Sequence, residues 1–420
     1  MAAAAVLLLV CMQGAACGQN NYYRDVIAQH PEYIRGTHCV YPEELVTPAA
    51  PVPEGYEPFY MYYHARHGSR RENRIDMTAL DELRKADAAG GLTEKGRKVL
   101  ADVELYCADL KDRGGDLSPV GVRQHKRIAK RMYANYPALF ADSTRIDARS
   151  TMYFRTAFSM DACCESLKEE NPHLRIVRDA SKAYHSEFLH QSKESDEFVS
   201  HDGKWYAEQY RPYRKSVQEK PTHLLATLFT PKAQKGIADP QKFASNLAKM
   251  GDMSQNLDLD LHILDVFSVD ELYGMWRHYS YNSCVFYGGC PVSHEIRTAA
   301  AKPLLKNIVA HCEEGIAKGE KSATMRFSHE SNLGPLACLL KLKGAWSDST
   351  DPDIINTQWD TRFAAPMAVN IQIVLFKNAH GDVIATVRYN ERDVELPVRT
   401  VFGGKYYPWD EMKAFFNSLL

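Results

Sequence analysis

Arg66-His67-Gly68-Ser69-Arg70 sets an imidazole between two guanidinium groups, a combination suited to nucleophilic attack on phosphorus. Two arginines this close repel each other unless an anion lies between them, and planar guanidinium forks match phosphate oxygens two at a time. The imidazole between them then faces the phosphorus, while Gly68 allows a tight backbone turn and the close approach of a ligand. Arg-His-Gly alone arises by chance, so the chemistry depends on what the rest of the chain brings to it. The preceding run, Pro58-Phe59-Tyr60-Met61-Tyr62-Tyr63-His64, predicts a strand that ends in the loop carrying His67.

Other segments read as further elements of such a site. Leu117-Ser118-Pro119-Val120-Gly121-Val122-Arg123-Gln124 predicts a helix start, with Ser118 as cap and Pro119 at the first helical position. Arg145-Ile146-Asp147-Ala148 predicts a short strand that delivers Arg155 to a helix with Met160, Cys163, Cys164 and Leu167 on its apolar face. A helix N-terminus presents unpaired N–H groups and a positive dipole end, so an arginine there reinforces an anion site. Ala323 to Phe327 reads as a strand running into Ser328-His329-Glu330. Ser293-His294-Glu295 repeats that tripeptide but follows Gly288-Gly289-Cys290-Pro291 and opens a helical pattern, so His294 reads as a helix-start residue.

In this order and spacing, from about Phe59 to Leu340, the chain resembles the histidine acid phosphatases, the branch of the histidine phosphatase superfamily that includes phytases and multiple inositol-polyphosphate phosphatases. Arg66 to Arg70 is similar to that family's Arg-His-Gly-x-Arg signature, and Leu117 to Gln124 to its Leu-Thr-Pro-x-Gly-x-x-Gln helix start. Arg149-Ser150-Thr151-Met152-Tyr153-Phe154-Arg155-Thr156 resembles the segment with a further phosphate-binding arginine, and Phe327-Ser328-His329-Glu330-Ser331-Asn332-Leu333 the His-Asp-Thr-Asn-Leu loop. The resemblance implies a phosphohistidine on His67, phosphate binding by Arg66, Arg70, Arg155 and His329, and protonation of the leaving group by Glu330, with no metal and no cofactor. It also implies a phosphoglycerate-mutase-like α/β core, a sheet flanked by helices, with an inserted mainly α cap, and inositol hexakisphosphate and lower inositol polyphosphates as substrates. Arg74, and Arg71 beside it, then read as additional substrate-binding groups. The chain departs from the family at Glu330, where Asp is usual, at Ser331, where animal members have Glu, and after Arg70, where many relatives have a proline two residues on. Broad acid or sugar phosphatase, phosphoglycerate mutase-type transferase and phosphate-ester binding protein are the competing readings.

Composition narrows the class. With 420 residues and 45% hydrophobic content the chain can bury a large core, and a formal charge of −2 argues against a general nucleic-acid binder. No stretch is long and apolar enough to span a membrane. Met1 to Cys11 followed by Gly14-Ala15-Ala16 reads as a secretory leader without a basic start, and Gly14-Ala15-Ala16-Cys17 also resembles a lipoprotein cleavage box that leaves a lipid anchor on Cys17. An extracytoplasmic location follows from either: periplasmic, outer-membrane lipoprotein or secreted. Export permits disulfides, for which Cys284 and Cys290 form the best local pair, whereas Cys163, Cys312 and Cys338 sit in helical apolar patterns as buried thiols. No Cys/His spacing resembles a zinc site.

The expected organisation is a leader over 1–17, an N-terminal arm over 18–57, a first core part over 58–178, a mainly α cap insertion over 179–318 and a second core part over 319–420. Thr93 is placed to cap a helix with Val99, Val103, Tyr106 and Leu110 on one face, and Ser268-Val269-Asp270-Glu271 is a capping box. Val369 to Lys377 and Val383 to Tyr389 read as a hairpin at the edge of the sheet region.

Overall fold

The structure, a computed structural model, describes residues 22–74, 76–184, 193–293 and 295–420. The leader with Cys17, and His294, lie outside the described residues. Strand β1 (Tyr56–Arg66) is the spine of a mixed sheet in the order β3-β2-β4-β1-β5-β6-β7. It pairs in parallel with β4 (Ser322–Ser328), which pairs in parallel with β2 (Arg145–Ser150), and β2 with β3 (Arg175–Ala180). On its other side β1 runs antiparallel to β5 (Asn370–Asn378), followed by β6 (Val383–Tyr389), the short β7 (Arg392–Asp393) and β8 (Tyr407–Pro408). The β5–β6 hairpin is the expected one, its turn closed by Asn378, whose side-chain oxygen accepts from the backbone of His380 and Asp382 at 3.0 and 2.9 Å.

The aromatic character of β1 reflects burial on both faces, as a central strand between two layers requires. Tyr60 and Tyr62 face a core with Leu305, Ile308, Leu336 and Leu375. Met61, Tyr63 and Ala65 point the other way, onto helices α1 (Pro119–Asn135) and α2 (Phe154–Glu170) through Ile128, Met132, Cys163 and Leu167. A third core is mainly helical and includes Leu80, Leu83, Val99 and Val103 from one stretch of chain and Leu224, Leu247, Met253 and Leu272 from another. Thr93 and Ser268 cap their helices as the sequence predicts, Ser268 in a full capping box. Among the described residues no helix is long and apolar enough to cross a membrane.

The cysteines correct one expectation. Cys284 and Cys290 are free thiols, as are Cys39, Cys107, Cys163, Cys164, Cys312 and Cys338, and all are buried. Cys284 lies near the end of the helix Val269–Tyr287 and belongs with Cys290 and Cys338 to the apolar core, so packing rather than cross-linking places them.

Candidate active site

The parallel half of the sheet brings the separated motifs together. Arg66 pairs with Ser328, and Ser150 with Phe327, so β1, β4 and β2 end side by side and release His67, His329 and the Thr151 turn at one edge. Two helices begin there: α2, whose first turn carries Arg155, and α3 (Glu330–Leu339), with His329 at its N-cap and Glu330 as its first residue. A crevice beyond the carboxyl ends of parallel strands, faced by helix N-termini, favours an anionic ligand.

The His67 backbone N–H donates to the Ser328 carbonyl, and its own carbonyl accepts from Ala368, which ties the His67 loop to β4 on one side and to the segment leading into β5 on the other. The side chain is 1% exposed. Its Nδ1 lies 2.8 Å from the Gly68 carbonyl, which can only accept, so Nδ1 carries the proton and Nε2 keeps its lone pair. Burial first, then Arg66, His329, Arg70 and Arg155, hold the imidazole well below its usual range, which keeps the ring neutral at neutral pH.

The Leu117 to Gln124 segment proves to be the clamp on this loop. Ser118 donates through both its backbone and Oγ to the Ser69 carbonyl, and the Gln124 amide reaches Ser69 twice, accepting from its N–H at 2.8 Å and donating to its Oγ at 2.9 Å. A side chain at Gly68 would stand 2.5 Å from the Gly121 carbonyl oxygen, so loop and helix meet backbone to backbone. Ser159 closes the other side: its Oγ accepts from Gly68 N–H at 3.0 Å and donates to the Arg155 carbonyl at 2.7 Å.

Around His67 stand the cationic groups. Arg66 is fixed through Nη1 to the carbonyls of Thr37 and Ala365 at 2.8 and 2.9 Å, and its Nε lies 3.0 Å from the Glu330 carboxylate. Arg70 donates to the Arg71 carbonyl at 2.7 Å. The buried Nε–H groups of Arg70 and Arg155 meet no acceptor among the described residues. Burial and then mutual repulsion lower both guanidiniums, Arg155 to about 10, which still leaves it charged at neutral pH. His329 lies edge to face with His67 at 5.5 Å, its Nε2 3.3 Å from Thr151 Oγ1. Burial, opposed by Glu330 and aided by the three arginines, brings His329 down to about 4.

Burial alone raises the Glu330 carboxyl, but Arg66, then His329 and Arg70, outweigh it and hold the group down to about 2. Glu330 is thus within the cluster despite the longer side chain, and its 28% exposure makes it one of the groups on the solvent side. His67, His329 and Glu330 offer ligand atoms all within 4.8 Å of one another, a spacing that could hold a cation. Arg66, Arg70 and Arg155 surround the same point with positive charge and favour an anion there instead.

The two basic residues expected at the rim part company. Arg71 does not reach it: Nε and Nη2 grip the Asp109 carboxylate at 2.7 and 2.8 Å, which neutralises the guanidinium and makes it a brace for the loop. Arg74 is exposed and follows Asn73, whose side chain lies with Arg155 about the positive-φ Gly115. Sequence reasoning missed Ser159, Thr151 and the Thr37 carbonyl. Ser159 had a usable signal, four residues after Arg155 on the same helical face; a backbone acceptor from the arm has none.

Arg155→Lys tests the geometry of the clamp. A point charge replaces a planar fork, so turnover should fall by roughly 10²-fold, the cost of one lost transition-state donor. Steady-state kcat near that of the native chain would reduce Arg155 to a distant charge.

Residues 66–392 match the histidine phosphatase superfamily (branch 2), and the chain belongs to that family. Among solved structures it is similar to the Bifidobacterium longum multiple inositol polyphosphate phosphatase in complex with inositol hexasulfate, 17% identical with a TM-score of 0.72 over 92% of this chain and 97% of that one. The apo form of the same enzyme is 19% identical with a TM-score of 0.72 over the same shares, 92% and 97%. The phytase from D. castellii is 11% identical with a TM-score of 0.60 over 92% and 85%. No curated protein matches the chain. The mixed α/β fold with a central sheet flanked by helices is the fold of these enzymes.

Proposed function

We propose that this chain hydrolyses phosphate monoesters, inositol hexakisphosphate and lower inositol polyphosphates in particular, through a phosphohistidine on His67. The observation that carries the reading is a neutral imidazole with its Nε2 lone pair available, beside the buried Nε–H groups of Arg70 and Arg155 that find no acceptor among the described residues. A phosphoryl group supplies what these donors lack, and its oxygens gain negative character in the transition state that the arginines stabilise. His67 Nε2 attacks phosphorus, the ester P–O bond breaks, and Glu330 gives its proton to the departing oxygen. Water then attacks the phosphohistidine, returns a proton to Glu330 and releases inorganic phosphate with the P–N bond broken.

For the substrate, the support is the fold shared with an enzyme whose structures hold inositol hexasulfate and phosphate, together with an exposed Arg74 that follows Asn73, whose side chain lies with Arg155 about Gly115. In this reading the leader exports the chain, with Cys17 as a lipid anchor if the lipoprotein box is used. The mass of the mature N-terminus distinguishes a plain cleavage from a lipidated Cys17, and an uncleaved Met1 would end the export proposal.

Phosphate release from inositol hexakisphosphate should exceed that from a simple sugar phosphate and persist unchanged in excess chelator. Activity lost to chelation and restored by zinc or magnesium would overturn the arginine clamp. Preference for the sugar phosphate would replace the substrate while leaving the chemistry in place.

A further inference from the structure

Tyr153 touches two of the groups assigned to phosphate without being assigned anything itself. The Arg155 guanidinium lies over its ring at 4.8 Å from the centroid, and the His329 ring meets it at 4.9 Å with the planes at 89°. Arg71 shows the alternative, a guanidinium held by a carboxylate and thereby neutralised. An aromatic face holds a guanidinium by its quadrupole and leaves the full positive charge for an incoming anion. The edge-on contact orients the imidazole of His329 from one side while Thr151 takes its Nε2.

Tyr153 is 46% exposed at the N-cap of α2, where its side chain makes no capping hydrogen bond. Thr151 and Thr156 secure that turn instead, hydroxyl to hydroxyl at 2.8 Å. With Glu330, Tyr153 stands on the solvent side of the cluster, where an ester enters.

We propose that Tyr153 is a positioning residue whose ring sets Arg155 and His329 on the same phosphoryl group. The proposal rests on His67 as the phosphoryl acceptor. Tyr153→Leu removes the aromatic face at similar bulk, and Tyr153→Phe keeps it. The Leu variant should lose about tenfold in kcat and in affinity for inorganic phosphate, the scale of one lost cation–π contact in a partly desolvated site, while Phe stays close to the native chain. Thermal midpoints of both should remain near the native value.

The deciding measurement is a double-mutant cycle on inorganic phosphate affinity, by calorimetry, in the native and Arg155→Ala backgrounds. If the ring works through Arg155, most of the Leu penalty vanishes once Arg155 is gone. A Leu variant that matches the native chain, or a penalty of equal size in both backgrounds, overturns the proposal. A native chain that binds phosphate yet turns over no ester would refute the phosphatase reading separately, and the cycle would still decide whether Tyr153 positions the anion site.

Discussion

His67→Ala is expected to lower phosphate release by about 10⁴-fold or more, because a step carried by a covalent bond to one nitrogen has no substitute in the site. The fold should survive. The loop is held through Ser69 by Ser118 and Gln124, through Gly68 by Ser159, and through backbone bonds to Ser328 and Ala368, none of which uses the imidazole. The ring is held neutral, so its removal takes no charge from the site and forfeits only its packing and its contact with the Gly68 carbonyl. The native enzyme quenched in alkali during turnover should carry acid-labile phosphate on the peptide containing His67, and the Ala variant none. Substantial turnover by the Ala variant would take the nucleophile role from His67.

Much of this site was legible in the sequence because its residues follow strand ends. Arg66, His67 and Arg70 come after a run whose aromatic content betrays a strand buried on both faces, and His329 and Glu330 come after another. Ser118, Pro119, Gly121 and Gln124 announced a helix start, and only three dimensions show that the same residues grip Ser69 and Gly68. Arg71 reads in sequence as a rim residue alongside Arg74, whereas its partner Asp109 comes from a distant helix that no local pattern connects to it. The sequence shows residues 18–57 only as an N-terminal arm. In fact the Thr37 carbonyl fixes Arg66, while His38 and Arg35 of the same arm meet the buried Asp252 at 2.8 and 3.4 Å, so this segment joins the helical core to the catalytic strand. A backbone acceptor and a long-range ion pair leave no periodicity to read. The Cys284 and Cys290 spacing misled for a related reason: closeness in sequence suggested a bond, but an apolar core is equally content with two thiols.

Glu330→Gln should separate the two chemical steps. In the free enzyme the carboxylate is paired with Arg66 at 3.0 Å and held down to about 2, so at pH 5 it is ionised and has no proton to give. A phosphate ester changes that balance, because its dianion competes for the same guanidinium and sets negative charge next to the carboxylate. Both effects favour the protonated form, so ester binding at pH 5 should take up a proton. Calorimetry in two buffers of different ionisation enthalpy measures this uptake, and it should disappear in the Gln variant, which cannot titrate. Hydrolysis of inositol phosphates should then drop by roughly 10²- to 10⁴-fold, since an alkoxide is a poor leaving group without general acid assistance. A nitrophenyl phosphate needs no such help, so the variant should release a burst of nitrophenol equal to the enzyme present and then slow, water attack on the phosphohistidine lacking its base. Equal loss on both substrates with no burst, together with unchanged proton uptake, would assign Glu330 to holding Arg66 in place and move the acid to another group of the cluster.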